Sequence, residues 1–540
     1  MAPKLTSKEI KFVLLVSLIL IVITSIPFIY GYLIKGSSFY NGLHVFSPAD
    51  GSVYYSFIWQ VKDGHYLMSD LFSNEVNSPN LFNPFWLGAG LVARIFNFSP
   101  FITFFLLRLI LIPLFLFVLY KIISFFLNQF EERLRKFAFL YSIFATGVSA
   151  IVFFFWPKLL RGGWPIDLWV PESSNFLIIF NSPHFIASIT LILLTFYYLF
   201  LALEEKKIRL SLMAGLLALV LFSFHPFFVT TIYAVSFVYV IFLNIKNKKF
   251  DLAIFKNYFI FVLVSLPSVL YYLYLLSANI SLKIKAWQNT CYTPGGISFF
   301  ISYGLGLFFA IFAIVYLLNK KNLTNKNLFL IIWFVVSIIL IYGPFNFQRR
   351  LTEGFQVPLT ILSFMGLIAV YNFLKIRWPG LKNFMSWGLL VPFVFLFCLS
   401  NVIIYAFDFK YLATKPDNIF INQDIKNAAE WYRSQTSIKE TILASAEVGN
   451  IIPGLVGRRV FIGHGVETIN FNNKGQQMLW FFKTNTDDLA KKEFLQNNHL
   501  DYIFYAAKEK ELGDFFPQKK DYLKSVYKNN SVEIFKFIPD

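Results

Sequence analysis

Residues 12–34, FVLLVSLILIVITSIPFIYGYLI, run for 23 positions without a charged side chain. The hydrocarbon core of a bilayer is about 30 Å thick and is crossed by roughly 20 apolar residues in a helix, which pairs its own backbone groups. This stretch therefore reads as a transmembrane helix. It carries no small-x-small cleavage site and more apolar stretches follow, so it does not read as a cleaved leader. The others lie near 101–128, 136–156, 176–202, 208–224, 226–244, 252–277, 297–318, 327–343, 356–374 and 384–406, giving about 11 spans. Composition points the same way: the 540 residues are 57% hydrophobic and 14% charged, with 68 Phe, 28 Tyr and 11 Trp. A soluble domain carries about 25% charged residues, so an ordinary cytosolic enzyme and a disordered chain are both excluded. With 27 Gly, 22 Pro and 2 Cys, collagen-like and disulfide-scaffold classes go as well. Cys291 and Cys398 are far apart, and no disulfide between them is expected.

The net charge of +18 is unevenly placed. Up to residue 406 there are 30 Lys and Arg against 13 Asp and Glu; from 407 onward the counts are 18 and 17. With the amino terminus inside, segments 1–11, 129–136, 203–209, 245–256, 319–326 and 375–382 fall on the cytoplasmic side and hold 19 Lys and Arg. The outer segments 35–100, 157–175, 277–296 and 343–356 hold 9 over about twice the length. Positive residues are retained on the cytoplasmic side, so this bias predicts a cytoplasmic amino terminus, and it marks membrane loops, not a nucleic-acid surface. The short apolar stretch 81–97, with Pro84, Gly88, Gly90 and Arg94, reads as an amphipathic helix at the outer interface, since a span there would invert every later loop. Two domains are expected: a transmembrane domain over 1–406 and an extracytoplasmic domain over 407–540. In the second, helices near 421–434, 473–483 and 487–497 alternate with strands near 441–446, 459–462, 501–505 and 532–538, an α/β pattern.

This topology narrows the candidate chemistry. Glu9, Glu131, Glu132, Glu204, Glu205 and Asp251 lie beside basic residues on the cytoplasmic side and read as solvated helix ends. The outward acids are Asp50, Asp63, Asp70, Glu75, Asp167, Glu172 and Glu353, four of them in the first outer loop. A carboxylate base in an outward-facing enzyme would come from this set. Asp50, in Pro48-Ala49-Asp50 before the aromatic run YYSFIWQ, reads equally as a helix N-cap. Asp63 before Gly64 reads as a helix end; Asp70 and Glu75 read as surface groups or a second acidic site. Arg349 and Arg350, between two late spans, suit bidentate phosphate binding or interfacial snorkelling. His184 in NSPHF, His225 in FSFHPFF, and Lys158 and Arg161 in WPKLLRGGWP border the outer face, as does Glu353; each also has an ordinary structural reading. GRRVFIGHGVET, residues 457–468, reads as a strand and turn, either meeting the membrane domain or closed by a capping Thr, with no catalytic role assigned. Phosphate-loop, HExxH, CxxC and GxSxG patterns are absent from the sequence.

PAD with YYSFIWQ, then NLFNPFWLGAGL at 80–91, NSPHF, FQRRLTEGFQVP at 347–358 and the GRRVFIGHGVET tail together resemble the GT-C superfamily of polytopic membrane glycosyltransferases, in particular its RgtA/B/C/D-like and protein-mannosyltransferase-like members. The resemblance spans most of the chain. It implies an inverting transfer of a hexosyl or pentosyl group from a polyprenyl-phosphate sugar to an acceptor hydroxyl on a glycan, lipid or protein, at the outer face of the cell membrane. By position it makes Asp50 the general base, with Arg349 and Arg350 on the leaving phosphate and His184 assisting, and it offers Asp70 or Glu75 as a second acid. An adjacent acidic pair is missing, so a divalent cation, Mg2+ or Mn2+, stays open, and no other cofactor is expected. A polytopic transporter or lipid flippase is the alternative from another class. An oligosaccharide ligase or polymerase of the envelope is the other, resting on outer arginines and a histidine instead of a base.

Overall fold

The computed structural model of the protein describes residues 5–46, 48–75, 81–319, 323–377, 390–485 and 487–539. Among them, seven helices are long and apolar enough to cross a membrane: Ser7–Ile34, Pro100–Phe126, Pro183–Glu205, Phe228–Lys246, Leu252–Ala278, Gly296–Asn319 and Gln356–Arg377. The helices Glu132–Phe144 and Ser149–Phe155 make an eighth span, broken by a 46° bend. Two further apolar helices, Ile208–Phe224 and Asn325–Ile341, have 17 residues each. The last predicted span is the helix Leu390–Ala413, whose expected start at 384–389 lies outside the described residues. The protein is thus a multi-pass helical membrane protein with an α/β region at its carboxyl end.

The chain divides into two compact units. One comprises Met1–Thr24, Leu107–Tyr272 and Thr290–Phe407; the other comprises Ser25–Leu106, Leu273–Asn289 and Asp408–Asp540. In the first unit the helices Gly296–Asn319 and Gln356–Arg377 pack closely, and small residues permit it: a Cβ on Gly366 would stand 2.1 Å from the Phe309 carbonyl oxygen. The broken span has a local cause. Gly147, in the break, approaches Ile301 so closely that a Cβ would stand 1.9 Å from its carbonyl oxygen. There the Ile301 carbonyl accepts the Val148 N–H at 2.9 Å. The buried Asp167 carboxylate takes the Gly147 N–H at 3.2 Å and the hydroxyls of Ser149 and Ser400, satisfying polar groups that the break would otherwise leave bare.

Glu9 corrects one reading of the sequence. It is buried, not solvated: Arg135 reaches its carboxylate at 2.9 Å and the Tyr120 hydroxyl at 2.8 Å. A carboxylate at that depth is tolerated because it is paired and hydrogen-bonded.

In the second unit, strand β1 (Phe39–Tyr40) pairs antiparallel with β2 (Phe420–Ile421). A five-stranded sheet follows, built from β3 (Thr441–Leu443), β4 (Arg459–Val460), β5 (Tyr502–Tyr505), β6 (Leu523–Lys528) and β7 (Glu533–Phe537) in the order β4-β3-β5-β7-β6. The contacts of β3 are parallel and those of β7 antiparallel. Helices Gln423–Gln435, Ala446–Val456, Phe471–Lys483 and Asp488–Asn497 cover it. Helix Ala446–Val456 and strand β6 were not anticipated from the sequence; Pro453 and two glycines disguise the first, and β6 alternates too little.

The aromatic helix Pro48–Lys62 belongs to this unit and is held from two sides. Gly90, on the predicted helix 81–97 (observed Pro84–Ile95), lies against Val61 and Ile58. Gly454, on Ala446–Val456, lies so near Ser52 that a Cβ would stand 2.7 Å from its Cα. The Trp59 indole N–H then donates to the carbonyls of Gly454 and Leu455 at 3.1 and 3.0 Å, and the Arg433 guanidinium covers the ring at 4.0 Å.

Candidate active site

Asp50 stands in the first turn of helix Pro48–Lys62, third from its start, so it does not cap that helix. Its Oδ1 lies 3.1 Å from His464 Nε2, and its side chain is 45% exposed, while that of His464 is 8% exposed. The carboxylate is therefore held at Oδ1 and partly exposed to solvent. His464 belongs to the turn after β4. That turn is closed by Thr468, whose hydroxyl accepts the Gly463 N–H at 3.0 Å and donates to the Phe72 carbonyl at 2.7 Å. Thr468 thus closes the turn without capping the helix Phe471–Lys483, whose N-cap is Asn470, and ties the turn to the first loop.

Asp70 and Glu75 are placed differently. Asp70 Oδ2 lies 3.3 Å from Lys285 Nζ, its Oδ1 accepts the Phe72 N–H at 2.8 Å, and Lys285 also forms an ion pair with Glu467. Burial works against the charge on Lys285, but the two carboxylates more than offset it and hold the ammonium above its ordinary range. Burial pushes Asp70 up against the pull of Lys285; for Glu467 the pull of Lys285 and His464 prevails over burial, and its carboxyl sits below its ordinary value. Glu75 pairs with Lys474 at 2.8 Å, which also meets the Ser73 hydroxyl at 2.8 Å, and Arg459 donates to the Glu75 carbonyl at 2.8 Å. The loop is locked to the sheet as well, with the Val460 N–H donating to the Leu71 carbonyl at 2.9 Å. Asp63, read as a helix end, follows Lys62 and pairs with Arg433 and Arg458.

These contacts decide whether the loop suits a divalent ion. Among the described residues, no group of three or more His, Cys, Asp or Glu side chains is arranged to hold a metal. Asp70 and Glu75 are each committed to a lysine, and a second cation beside either ammonium would be repelled. Among the described residues, the donor set around Asp70 and Glu75 does not fit Mg2+ or Mn2+.

The first unit holds the predicted cationic residues. Arg349 and Arg350 lie in the 3-10 helix Gln348–Thr352. The Arg349 guanidinium stacks over Trp169 at 4.4 Å; that of Arg350 lies over Phe227 at 5.1 Å and 4.0 Å from Glu172. His184, one residue into the helix after Pro183, is buried, with its Nδ1 2.6 Å from the Ser182 hydroxyl and its ring 5.2 Å from that of His225. Glu353 is buried and receives the Ser188 hydroxyl. The structure thus gathers Arg350 with Glu172 and pairs His184 with His225. Lys158 is exposed on the 3-10 helix Pro157–Gly162, and the side chain of Arg161 lies outside the described residues. Lys285, Lys474, His464, Glu467 and Glu172 were not assigned roles from the sequence. Their partners explain why: Lys285 and Asp70 are 215 positions apart, and His464 and Asp50 are 414.

No protein-family model matches the sequence, and no curated protein matches it. Solved structures do. The apo oligosaccharyltransferase of Archaeoglobus fulgidus superposes with a TM-score of 0.54 at 13% identity, over 92% of this chain and 69% of that one. The same enzyme tethered to an acceptor peptide containing the NVT sequon gives 0.52 at 15% identity with the same coverage. The arabinofuranosyltransferase AftD from Mycobacteria gives 0.54 at 9% identity, covering all of this chain and 40% of that one. What this chain shares with both proteins, over 92% of its length or more, is their fold.

Proposed function

We propose that the protein is a membrane glycosyltransferase that moves a sugar from a polyprenyl-phosphate donor to an acceptor hydroxyl, with inversion, at the outer face of the cell membrane. The acceptor oxygen attacks the anomeric carbon as Asp50 takes its proton. The bond from that carbon to the phosphate oxygen breaks, and the phosphate leaves with the electron pair. Arg349 and Arg350 stabilise the charge that develops on it, with His184 beside them. A guanidinium fork suits this task, and both arginines are already aligned by aromatic faces. The positive-inside bias supports a cytoplasmic amino terminus and an extracytoplasmic carboxyl-terminal domain over 407–540.

One observation carries the reading. Of the first-loop acids Asp50, Asp63, Asp70 and Glu75, three meet lysine or arginine in ion pairs, whereas Asp50 meets a histidine and is the most exposed of the four, with 45% of its side chain accessible. The test is Asp50→Asn in protein purified into nanodiscs and supplied with a panel of polyprenyl-phosphate hexoses and pentoses. Release of polyprenyl phosphate should fall by at least 1,000-fold, with donor binding retained. Parental turnover in Asp50→Asn would remove Asp50 as the base. Sugar-lipid flux across vesicles without transfer would favour a flippase instead.

A further inference from the structure

Glu353 is a buried acid that the proposed chemistry leaves unused, and its contacts are poor compensation for a negative charge. It follows the 3-10 helix Gln348–Thr352 that carries Arg349 and Arg350, and its N–H donates to the Arg350 carbonyl at 3.4 Å. The residue is 2% exposed. One carboxyl oxygen meets the Ser188 hydroxyl; the other, Oε2, has no hydrogen-bond partner among the described residues. The Ser188 hydroxyl has a single proton and also lies 3.1 Å from the Phe185 carbonyl, so Glu353 receives only a share of it. Arg350 forms an ion pair with Glu172 at 4.0 Å, whereas Glu353 forms none among the described residues. A full charge buried on these terms is costly, and a carboxyl so placed neutralises instead. Burial and the Glu172 charge hold the Glu353 carboxyl well above the usual carboxylate range, outweighing Ser188 and Arg350.

The contact also sets a register. His184, Ser188 and Ile192 recur at every fourth residue of the helix Pro183–Glu205 and so lie along one face, about 6 Å apart. Glu353 meets the middle residue of the three. Gly354 comes next, at a φ of +83°, and passes so near the helix that a Cβ would stand 3.3 Å from Ile192 Cγ2. The arginine-bearing turn is thus seated along the face that begins with His184. We infer that Glu353 is a positioning residue for Arg350: its carboxyl group latches the turn to Ser188, so that the guanidinium and His184 address one phosphate. The inference rests on the reading of Arg350 as a ligand of the donor phosphate. An uncharged latch suits that place, since a further carboxylate beside Arg350 would repel the phosphate and compete with it for the guanidinium. Glu172 and Arg350 are the charged groups that act on Glu353, and the Arg350 charge also reaches His184 and His225.

The test uses the full-length protein in nanodiscs, titrated with polyprenyl phosphate. Glu353→Ala and Ser188→Ala should each weaken its binding by about tenfold. Ser188→Ala leaves the loop's own residues intact, so it reads the latch even if Glu353→Ala misfolds. Glu353→Gln keeps the shape and the bond to Ser188 with no proton to lose, and should recover most of the parental affinity. Infrared difference spectra between the parent and Glu353→Gln at neutral pH should show the carbonyl band of a protonated carboxyl, present only in the parent. Absence of that band would overturn the inference, as would a Glu353→Gln variant that binds as weakly as Glu353→Ala. Parental binding by Ser188→Ala would refute the latch. The underlying reading fails separately: parental binding by Arg350→Ala would strike the phosphate assignment, whereas the infrared band is read without ligand.

Discussion

Replacing Lys285 by Met is the sharpest probe of how the acidic loop is held. The ammonium lies 3.3 Å from Asp70 and closer still to Glu467, with side-chain exposures of 16%, 8% and 23% for the three groups. Two unit charges at such a separation attract by ~5 kcal/mol at an effective dielectric of ~20. Most of that attraction is spent on desolvation, and the loss of one partner from a buried pair costs about 3–5 kcal/mol. Partial exposure of Glu467 places the expected loss at the low end, about 3 kcal/mol. The pH dependence carries the diagnostic. Without the ammonium, Asp70 and Glu467 face each other, and both titrate higher in the folded than in the unfolded chain. A group of that kind withdraws stability as pH rises from about 4 through its folded value. The deficit relative to the parent should therefore be greatest near pH 8 and shrink toward pH 4.5. Thermal unfolding in nanodiscs, followed by tryptophan fluorescence, reads it, with Lys285→Arg as the charge-preserving control. A deficit below 1 kcal/mol, or one unchanged between pH 8 and pH 4.5, would show that Lys285 does not compensate the two acids.

Two other outcomes follow from the geometry. Gly454→Ala places a methyl 2.7 Å from the Ser52 Cα, where backbone must give way; a loss of about 1–3 kcal/mol and a larger fall in kcat than in donor binding are expected, and parental stability would contradict the close approach. Because Asp70 and Glu75 are committed to lysines, EDTA should leave turnover within twofold of its value in Mg2+ buffer; loss of activity on chelation and recovery with Mg2+ or Mn2+ would refute that reading.

The membrane architecture was legible because each span announces itself within a 20-residue window, as residues 12–34 do. What was not legible depends on partners outside the window. The stretch 136–156 is apolar enough after Lys136 to read as one span, and the bend at Ala145–Val148 depends on Ile301 and Asp167, which lie outside it. Glu9 read as a solvated helix end because Tyr120 and Arg135 are more than 100 positions away. The acids of the first loop were legible as a shortlist, by charge and side of the membrane. Their separation into one carboxylate that meets a histidine and three that meet lysine or arginine was not, since His464, Lys285, Lys474 and the two arginines come from elsewhere in the chain.

Those distances also set a timetable for biogenesis. Asp70 leaves the ribosome 215 residues before Lys285, and Glu75 leaves it 399 residues before Lys474. At roughly 5–20 residues per second, the acidic loop waits about 20–80 s for its last counter-ion. Throughout that interval Glu75 lacks the lysine that pairs with it in the finished fold, and a nascent chain halted before the carboxyl-terminal segment stays in that condition. Quality control has a long window in which to tell a finished molecule from an arrested one, and the first loop is where the difference shows.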